Sequence, residues 1–470
     1  MKSITTVKNS SQVITIYYNI IWLIRLEEIN MIEGLTGTVI TKEDKSYNIL
    51  RRTANLYFSY YPKVIVYPNN ITDVVNAVNW ARERGLNIRC RNGGHNYESF
   101  SVANDAVVID VSKLLDFEID TREGYVRIGA GYRQEQLHPK VTQYGFAFVG
   151  GSCQSIGVTG ITLGGGVSFL QREYGLVCDS LVEAQIVDAF GRIITANSYQ
   201  NQDLFAALRG AGSNNFGVVV SLTFKVYPVD KVTVMTARWP RKSRYEVIQE
   251  FQKVGEYLDN RYTIKVSMTK DAIELYGVGL RSTEKEMEQA LSDLLKVPNK
   301  MNYTTRHISF KESVQGRPGF VPTPKGFKNT GLLAYNSLGK EPCQIMFDYL
   351  DNSPPIQPPI DIEFLLLGGK ITENEGLPSA FPHRHAKVLI QIEAEWILKY
   401  SMYANDTIRW VNSLRNSLLP YADFGYLNYC DINIPNYLYS YFGNNVSWLK
   451  TVKEKYDPYN LFYYPQGINL

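Results

Sequence analysis

The stretch from Gly150 to Gly166 constrains this chain more than any other. It reads Gly150-Gly151-Ser152-Cys153-Gln154-Ser155-Ile156-Gly157-Val158-Thr159-Gly160, followed closely by Gly164-Gly165-Gly166. Glycine loses more backbone freedom on folding than any other residue, so this density is costly in entropy. It makes sense where the backbone must lie flat against a ligand. The competing reading is a loose surface linker. That reading would leave Ile156, Val158, Ile161 and Leu163 in water.

Two further glycine clusters flank it. Arg91-Asn92-Gly93-Gly94-His95-Asn96-Tyr97 follows a strand predicted over 87–91. Adjacent glycines let successive N–H groups converge on an anion such as a pyrophosphate, with His95 beside it. A tight turn carrying a surface histidine is the plainer alternative. Arg209-Gly210-Ala211-Gly212-Ser213-Asn214-Asn215-Phe216-Gly217 imitates a dinucleotide fingerprint. It lacks the third glycine, and a strand follows where a helix would be needed. No phosphate-binding P-loop is present.

Periodicity places these clusters. Short strands are predicted at 64–67, 87–91, 106–110 and 125–128, and helices at 71–84 and 134–144. A hairpin is expected at 181–187 and 192–195, a helical turn at 203–208 and a long strand at 218–227. After Pro228 the texture changes. The segments 233–239, 264–269 and 272–279 alternate apolar and polar, as antiparallel strands do, while 245–258 and 283–295 read as amphipathic helices. A proline-rich loop spans 354–359, and a last helix is expected at 446–456. The class is α+β, with helices on one face of a sheet in each of two lobes, 31–228 and 229–424, and a return to the first lobe over 425–470.

Residues 1–30 stand apart. Val13 to Ile24 is apolar and preceded by Lys2 and Lys8, yet Arg25, Glu27 and Glu28 follow with no small-residue cleavage site. A frayed extension is the leading reading, with a packed helix and a targeting signal as alternatives. The run is too short to span a bilayer. The formal charge of +3 over 470 residues, with no basic block, argues against nucleic acid. Five widely spaced cysteines without a CxxC pair argue against a zinc ribbon or disulfide scaffold and fit a cytoplasmic protein. His383 and His385 would share one face of a strand, but lack a third ligand nearby, so no metal site is assigned. His138 and His307 read as ordinary helix or surface histidines.

At the glycine clusters the chain is familiar. RNGGHNYESFS, GGSCQSIGVTGITLGGGVSFLQREYGLVCDSL and ALRGAGSNNFGVVVSLTFKVYP resemble the PCMH-type FAD-binding domain of the vanillyl-alcohol oxidase and p-cresol methylhydroxylase superfamily. The berberine-bridge-enzyme-like oxidases are the best subgroup match. FPHR at 381–384, FGYLNYCD and YFGNNVSWLKTVKEKYDPYNLFYYPQGI fit the same subgroup. The resemblance implies covalent FAD, bonded through His95 and, as in doubly linked members, through Cys153. It places the backbone of Asn92, Gly93 and Gly94 at the pyrophosphate, and Arg91, Gly157, Thr159, Gly160, Gly164 and Val219 along the cofactor. Tyr426 and Asn428 match a YxN element on the flavin's reactive side. Gln154 departs from the pattern, where a proline is usual.

The implied reaction is oxidation of a CH–OH group of a sugar or other alcohol, with oxygen accepting the electrons and leaving as peroxide. A neutral imidazole and an activated thiolate are both competent nucleophiles for attachment. Tyr426 is the expected base, its alternative being an aromatic that packs the cofactor; Gln391 and Tyr429 are further candidates for substrate contact. Two other functions compete: a flavin-binding coat or stress-surface protein without turnover, and a dehydrogenase with a different acceptor.

Overall fold

The computed structural model describes residues 32–315, 325–374 and 376–470. The apolar run at 13–24 lies outside them. Three sheets of four or more strands organise the chain. The first has the spatial order Thr38–Ile40, Val64–Tyr67, Val107–Asp110, Ile88–Arg91; its last three strands are parallel. The helix Ile71–Glu83 makes the parallel crossover. The side chain of Asn70 caps it by accepting from the N–H of Asp73, and Val74, Ala77, Val78 and Ala81 form its buried stripe.

The second sheet is antiparallel and has five strands, ordered Phe117–Asp120, Tyr125–Gly129, Val218–Lys225, Leu181–Val187, Ile193–Asn197. The expected hairpin is there, its turn closed by Asp188 Oδ1 accepting from the N–H groups of Phe190 and Arg192. One hydrophobic core joins both sheets and takes in Leu427, Phe442, Leu449, Phe462 and Ile468 from the C-terminal segment.

The third sheet is antiparallel throughout and has seven strands. Its order is Asn302–Ser309, Lys231–Pro240, Ala272–Leu280, Tyr262–Met268, Asp361–Leu366, Val388–Ile397, Lys325–Ala334. Side chains alternate between its faces with period two. Ile264, Val266, Ile362, Phe364, Ile390 and Ile392 point into a second core, covered by the helices Arg244–Tyr257, Lys340–Asp351 and Ala404–Leu418. The intervening residues Lys265, Ser267, Asp361, Glu363, Gln391 and Glu393 therefore share the opposite face. The helix expected over 283–295 is two, Glu284–Ala290 and Ser292–Leu295, broken at the buried Leu291. We propose that the two cores are the two expected lobes, divided near Pro228.

Buried charge ties the segments together. Lys328 Nζ, from the third sheet, bonds Glu98 of the first lobe and Asp431 of the C-terminal segment, the latter at 2.7 Å. Arg384 grips Asp179 with both terminal guanidinium nitrogens, at 2.6 and 2.7 Å. Asn55 donates to Phe327 O and accepts from Phe327 N–H.

Candidate active site

Where the glycine loops meet there is a cavity of about 240 Å³. The loops touch backbone to backbone: a Cβ on Gly93 would sit 2.5 Å from Gly157 N, and one on Gly157 would sit 2.7 Å from Asn92 Cγ. Only glycine permits that approach. Gly160 differs, because a Cβ there would meet nothing within 4 Å; it faces the cavity. Asn92 donates to Ala130 O at 2.6 Å and Tyr132 O at 3.1 Å, which fixes its loop. Its Oδ1 is buried and has no partner within the protein. Arg91 is held by Asp110 and by the hydroxyl of Tyr67, and Thr159 donates to Ala130 O. Val219 completes the wall.

His95 lines this cavity, as do Gly151 and Ser152. Burial, reinforced by Arg133 and Lys325, pulls the imidazole down to about 4, so it is neutral near pH 7. Cys153 follows directly on Ser152. Its Sγ lies 3.7 Å from Ser155 Oγ and close enough to Tyr429 to disfavour that residue's ionised form. His95 thus lines the cavity itself, whereas Cys153 does not, although its neighbour Ser152 does.

The tyrosines differ sharply. The hydroxyl oxygen of Tyr426 accepts from Gly166 N–H and from Asn428 Nδ2, both at 2.9 Å. Asn428 also donates to Ile161 O and packs against Gly164, where a Cβ would lie 2.1 Å from its Oδ1. Tyr426 and Asn428 together clamp the third glycine group. Both tyrosines line the glycine-lined cavity, but only Tyr429 also opens on a pocket of about 30 Å³ that it shares with Gln391, Glu363 and Lys265. It stacks on Tyr97, centroids 5.4 Å apart and planes 14° apart. Gln391 Nε2 donates to the Tyr97 hydroxyl at 2.7 Å and to Glu393 Oε1 at 2.5 Å. Burial raises both tyrosine hydroxyls, and for Tyr429 Glu363 is the next cause.

Beyond the small pocket lies a third cavity of about 470 Å³. It shares Lys265 and Glu363 with the pocket and Ser152 with both. Its walls include Phe169, Tyr276, Arg238 and Asp361. The three spaces form a series from the glycine loops to the polar face of the seven-stranded sheet. Sequence reasoning missed Tyr97, Lys265, Asp361, Glu363 and Glu393. The signal was present in the alternation Asp361-Ile362-Glu363-Phe364 and Gln391-Ile392-Glu393-Ala394, charge set every second residue along buried strands.

The His383/His385 pair does not form on a strand, because the strand starts only at Val388. His383 is buried, its Nδ1 2.8 Å from the Tyr335 hydroxyl and its Nε2 2.8 Å from Ser440 O, whereas His385 is exposed. His138 is buried on the helix Gln134–Thr142, and His307 stands on a strand. All five cysteines are free of disulfides. Among the described residues, no helix is long and apolar enough to cross a membrane.

Comparison with known proteins fits this geometry. A family described as FAD binding domain matches residues 62–197, and one described as berberine and berberine like matches residues 425–469. YgaK of Bacillus subtilis (strain 168), an FAD-linked oxidoreductase by name, is 31% identical over 92% of this chain and 97% of its own. The chain belongs to the berberine-bridge-enzyme-like family of FAD-linked oxidoreductases. Physcomitrella patens BBE-like 1 superposes with a TM-score of 0.87 at 26% identity, over 94% of this chain and 98% of its own. A carbohydrate oxidase of Microdochium nivale is 27% identical over 88% of this chain and 89% of its own. The residues present fit FAD. The cradle admits only glycine where the loops touch and is open at Gly160, which leaves backbone rather than side chains against a flat ligand.

Proposed function

We propose that this enzyme oxidises a CH–OH group of a sugar or related alcohol, with FAD held covalently through His95 and Cys153. Oxygen is the acceptor, leaving as hydrogen peroxide. The observation that carries this reading is Tyr429, which faces both the glycine-lined cavity and the pocket leading to the polar groove. The carbohydrate oxidase among the relatives supports the substrate class.

When bound, FAD supplies the hydride acceptor. Arg91, Asn92, Gly93 and Gly94 would hold its pyrophosphate; Gly157, Thr159, Gly160, Gly164 and Val219 would line it. The imidazole of His95 is neutral near pH 7, the protonation state that covalent attachment to a flavin requires of it. We assign the base to Tyr429 in preference to Tyr426. The oxygen of Tyr426 is already engaged by two N–H donors, which supports a holding role. A buried tyrosine hydroxyl is a weak base alone. Tyr429 shares its pocket with Glu363, so its own proton has a carboxylate to move to as it takes one from the substrate. Tyr97 and Gln391 orient that wall.

Purified protein should be yellow, and the colour should remain with the polypeptide after acid precipitation. His95→Ala and Cys153→Ala should each leave one linkage, and the double variant should lose the colour to the supernatant. Peroxide release across a sugar and alcohol panel tests the reaction. Dye reduction without peroxide would replace oxygen as acceptor, and a yellow protein inert to every donor would overturn the reading.

A further inference from the structure

The loop that carries Cys153 is pinned on both sides of that residue. Before it, Gly150 lies against the side chain of Gln134, where a Cβ would meet Oε1 at 2.3 Å, and Gly151 lies against Ile161, where one would meet Cδ1 at 2.5 Å. After it, Gln154 O accepts from Glu135 N–H at 2.8 Å, Ile156 O accepts from Gln134 N–H at 3.0 Å, and Val158 N–H donates to Tyr132 O at 2.9 Å. Those partners are the start of the helix Gln134–Thr142 and the residues just before it. Ser152 and Cys153 form the crest between the pinned points. Gly151, Ser152 and Ile156 line the glycine-lined cavity, so the cysteine stands between wall residues without being one itself.

Gln154 is held from a second direction as well. Its side-chain Nε2 donates to Val314 O at 3.1 Å and to Gln315 O at 3.0 Å. These carbonyls close the helix Phe310–Gln315, where a helix end leaves acceptors without an intrahelical partner. That helix follows the strand Asn302–Ser309 of the seven-stranded sheet, and its Phe310 and Val314 are buried beside Ala147, Val149, Phe169 and Leu170. A residue bonded through its carbonyl on one side and its amide on the other keeps little backbone freedom. The Cα of Cys153, one planar peptide away, shares that restraint. The thiol keeps one torsion, χ1, with three staggered positions. In the position it occupies, Sγ lies 3.7 Å from Ser155 Oγ.

We propose that Gln154 is a positioning residue for covalent attachment: its bonds to Val314 and Gln315 hold Cys153 where one χ1 rotation brings the sulfur to the cofactor. The inference rests on the reading above that Cys153 is an attachment residue. Attachment breaks the S–H bond and one ring C–H bond and forms one C–S bond. The two electrons and two protons set free reduce one molecule of oxygen to hydrogen peroxide. The sulfur must dwell at reacting distance, and a restrained loop raises its effective concentration there. His95 stands on a separate loop, fixed by the bonds of Asn92 to Ala130 O and Tyr132 O, so loss of the Gln154 anchor leaves its attachment unchanged. A Gln154 that served the fold alone would affect both linkages together.

The test uses the full chain, prepared poor in flavin and then given FAD in air. Samples taken over time are denatured, alkylated and digested. The share of the Cys153 peptide that takes the alkyl group measures the unlinked thiol. The flavin mass carried by the His95 peptide, alone or joined to that of Cys153, measures the other linkage. Gln154→Ala, and Gln154→Met, which keeps the length and lacks the donor, should each slow linkage at Cys153 about tenfold and leave linkage at His95 at the parent's rate. Gln154→Lys still offers N–H donors to the two carbonyls and should restore most of the rate. Equal slowing at His95 and Cys153 would overturn the proposal, since it would mean a general loss of cofactor binding. An unaltered protein whose Cys153 stays fully open to alkylation after flavin has bound would sink the attachment reading, and this inference with it. Linkage of Cys153 at one rate in the parent and in all three variants would sink this inference alone.

Discussion

Asn428 Nδ2 lies 2.9 Å from the hydroxyl of Tyr426 and donates to it, so the two residues of the YxN element bond each other as well as the glycine loop. Two donors already occupy the hydroxyl oxygen of Tyr426, and this is why we propose Tyr429, three residues on, as the base. Tyr426→Phe removes an acceptor for Gly166 N–H and Asn428; it should cost about 1–3 kcal/mol of stability. Tyr429→Phe should keep stability and flavin content but slow flavin reduction by roughly a hundredfold or more. Stopped-flow reduction under nitrogen and thermal melts of both variants check this. Equal slowing in the two would remove the distinction.

The glycines around the cavity should separate in the same way. Gly157→Ala drives a methyl into Asn92 and Gly93, and the backbone there has no room to yield. Loss of folded protein is expected. Gly160→Ala meets no protein atom and sits in the helix Val158–Leu163, where alanine is favoured by up to about 1 kcal/mol. That variant should fold as well as the parent and yet bind less flavin, because its methyl enters the space the cofactor needs. The ratio of flavin to protein absorbance, read beside the melting temperature, decides it.

How much of this was legible in the chain follows from how local each signal is. The glycine loops and the Tyr426–Asn428 element declared themselves because a backbone that needs glycine shows it in a few consecutive residues. Strands such as Lys231–Pro240 and Ala272–Leu280 showed their alternation for the same reason. The carboxylate group did not. Asp361 and Glu393 are far apart in sequence and meet only through strand register, which no short window contains. The helices Lys340–Asp351 and Ala404–Leu418 were unassigned although Met346 and Leu350, or Val411, Leu414 and Leu418, have helical spacing. His383 and His385 would have shared a face only on a strand, and the chain after Pro382 is irregular.

Lys328 offers a test of how the lobes are joined. Its ammonium is buried with Glu98 and Asp431, one partner from the first lobe and one from the C-terminal segment. Burial lowers its affinity for a proton, but the two carboxylates outweigh that and leave it raised. Lys328→Met strands the buried Glu98 and leaves Asp431 with only the more distant Arg415, 3.9 Å away. A loss of about 3–5 kcal/mol is expected from equilibrium denaturation. Replacing all three by apolar residues of similar volume should recover much of it, since the pair energy largely repays desolvation only. A single variant as stable as the parent would show that the cluster does not join the segments.

His383 makes a pH dependence with a definite sign. Ser440 O can only accept, so Nε2 carries the hydrogen, and Nδ1 accepts from Tyr335 in the neutral ring. Burial holds the folded pKa at about 4, against 6.5 when exposed. Between those values the unfolded chain takes the proton more readily, so acid favours unfolding. The contribution is whole above pH 6.5, declines as pH falls, and is gone below about 4. A gap of that size corresponds to roughly 3 kcal/mol. Urea denaturation from pH 7 to pH 4.5 should show this decline in the parent. His383→Gln should be less stable at pH 7, since it loses a buried bond, but flatter over the interval. Parallel curves for the two proteins would mean that other groups govern the acid limb and that His383 is already charged when folded.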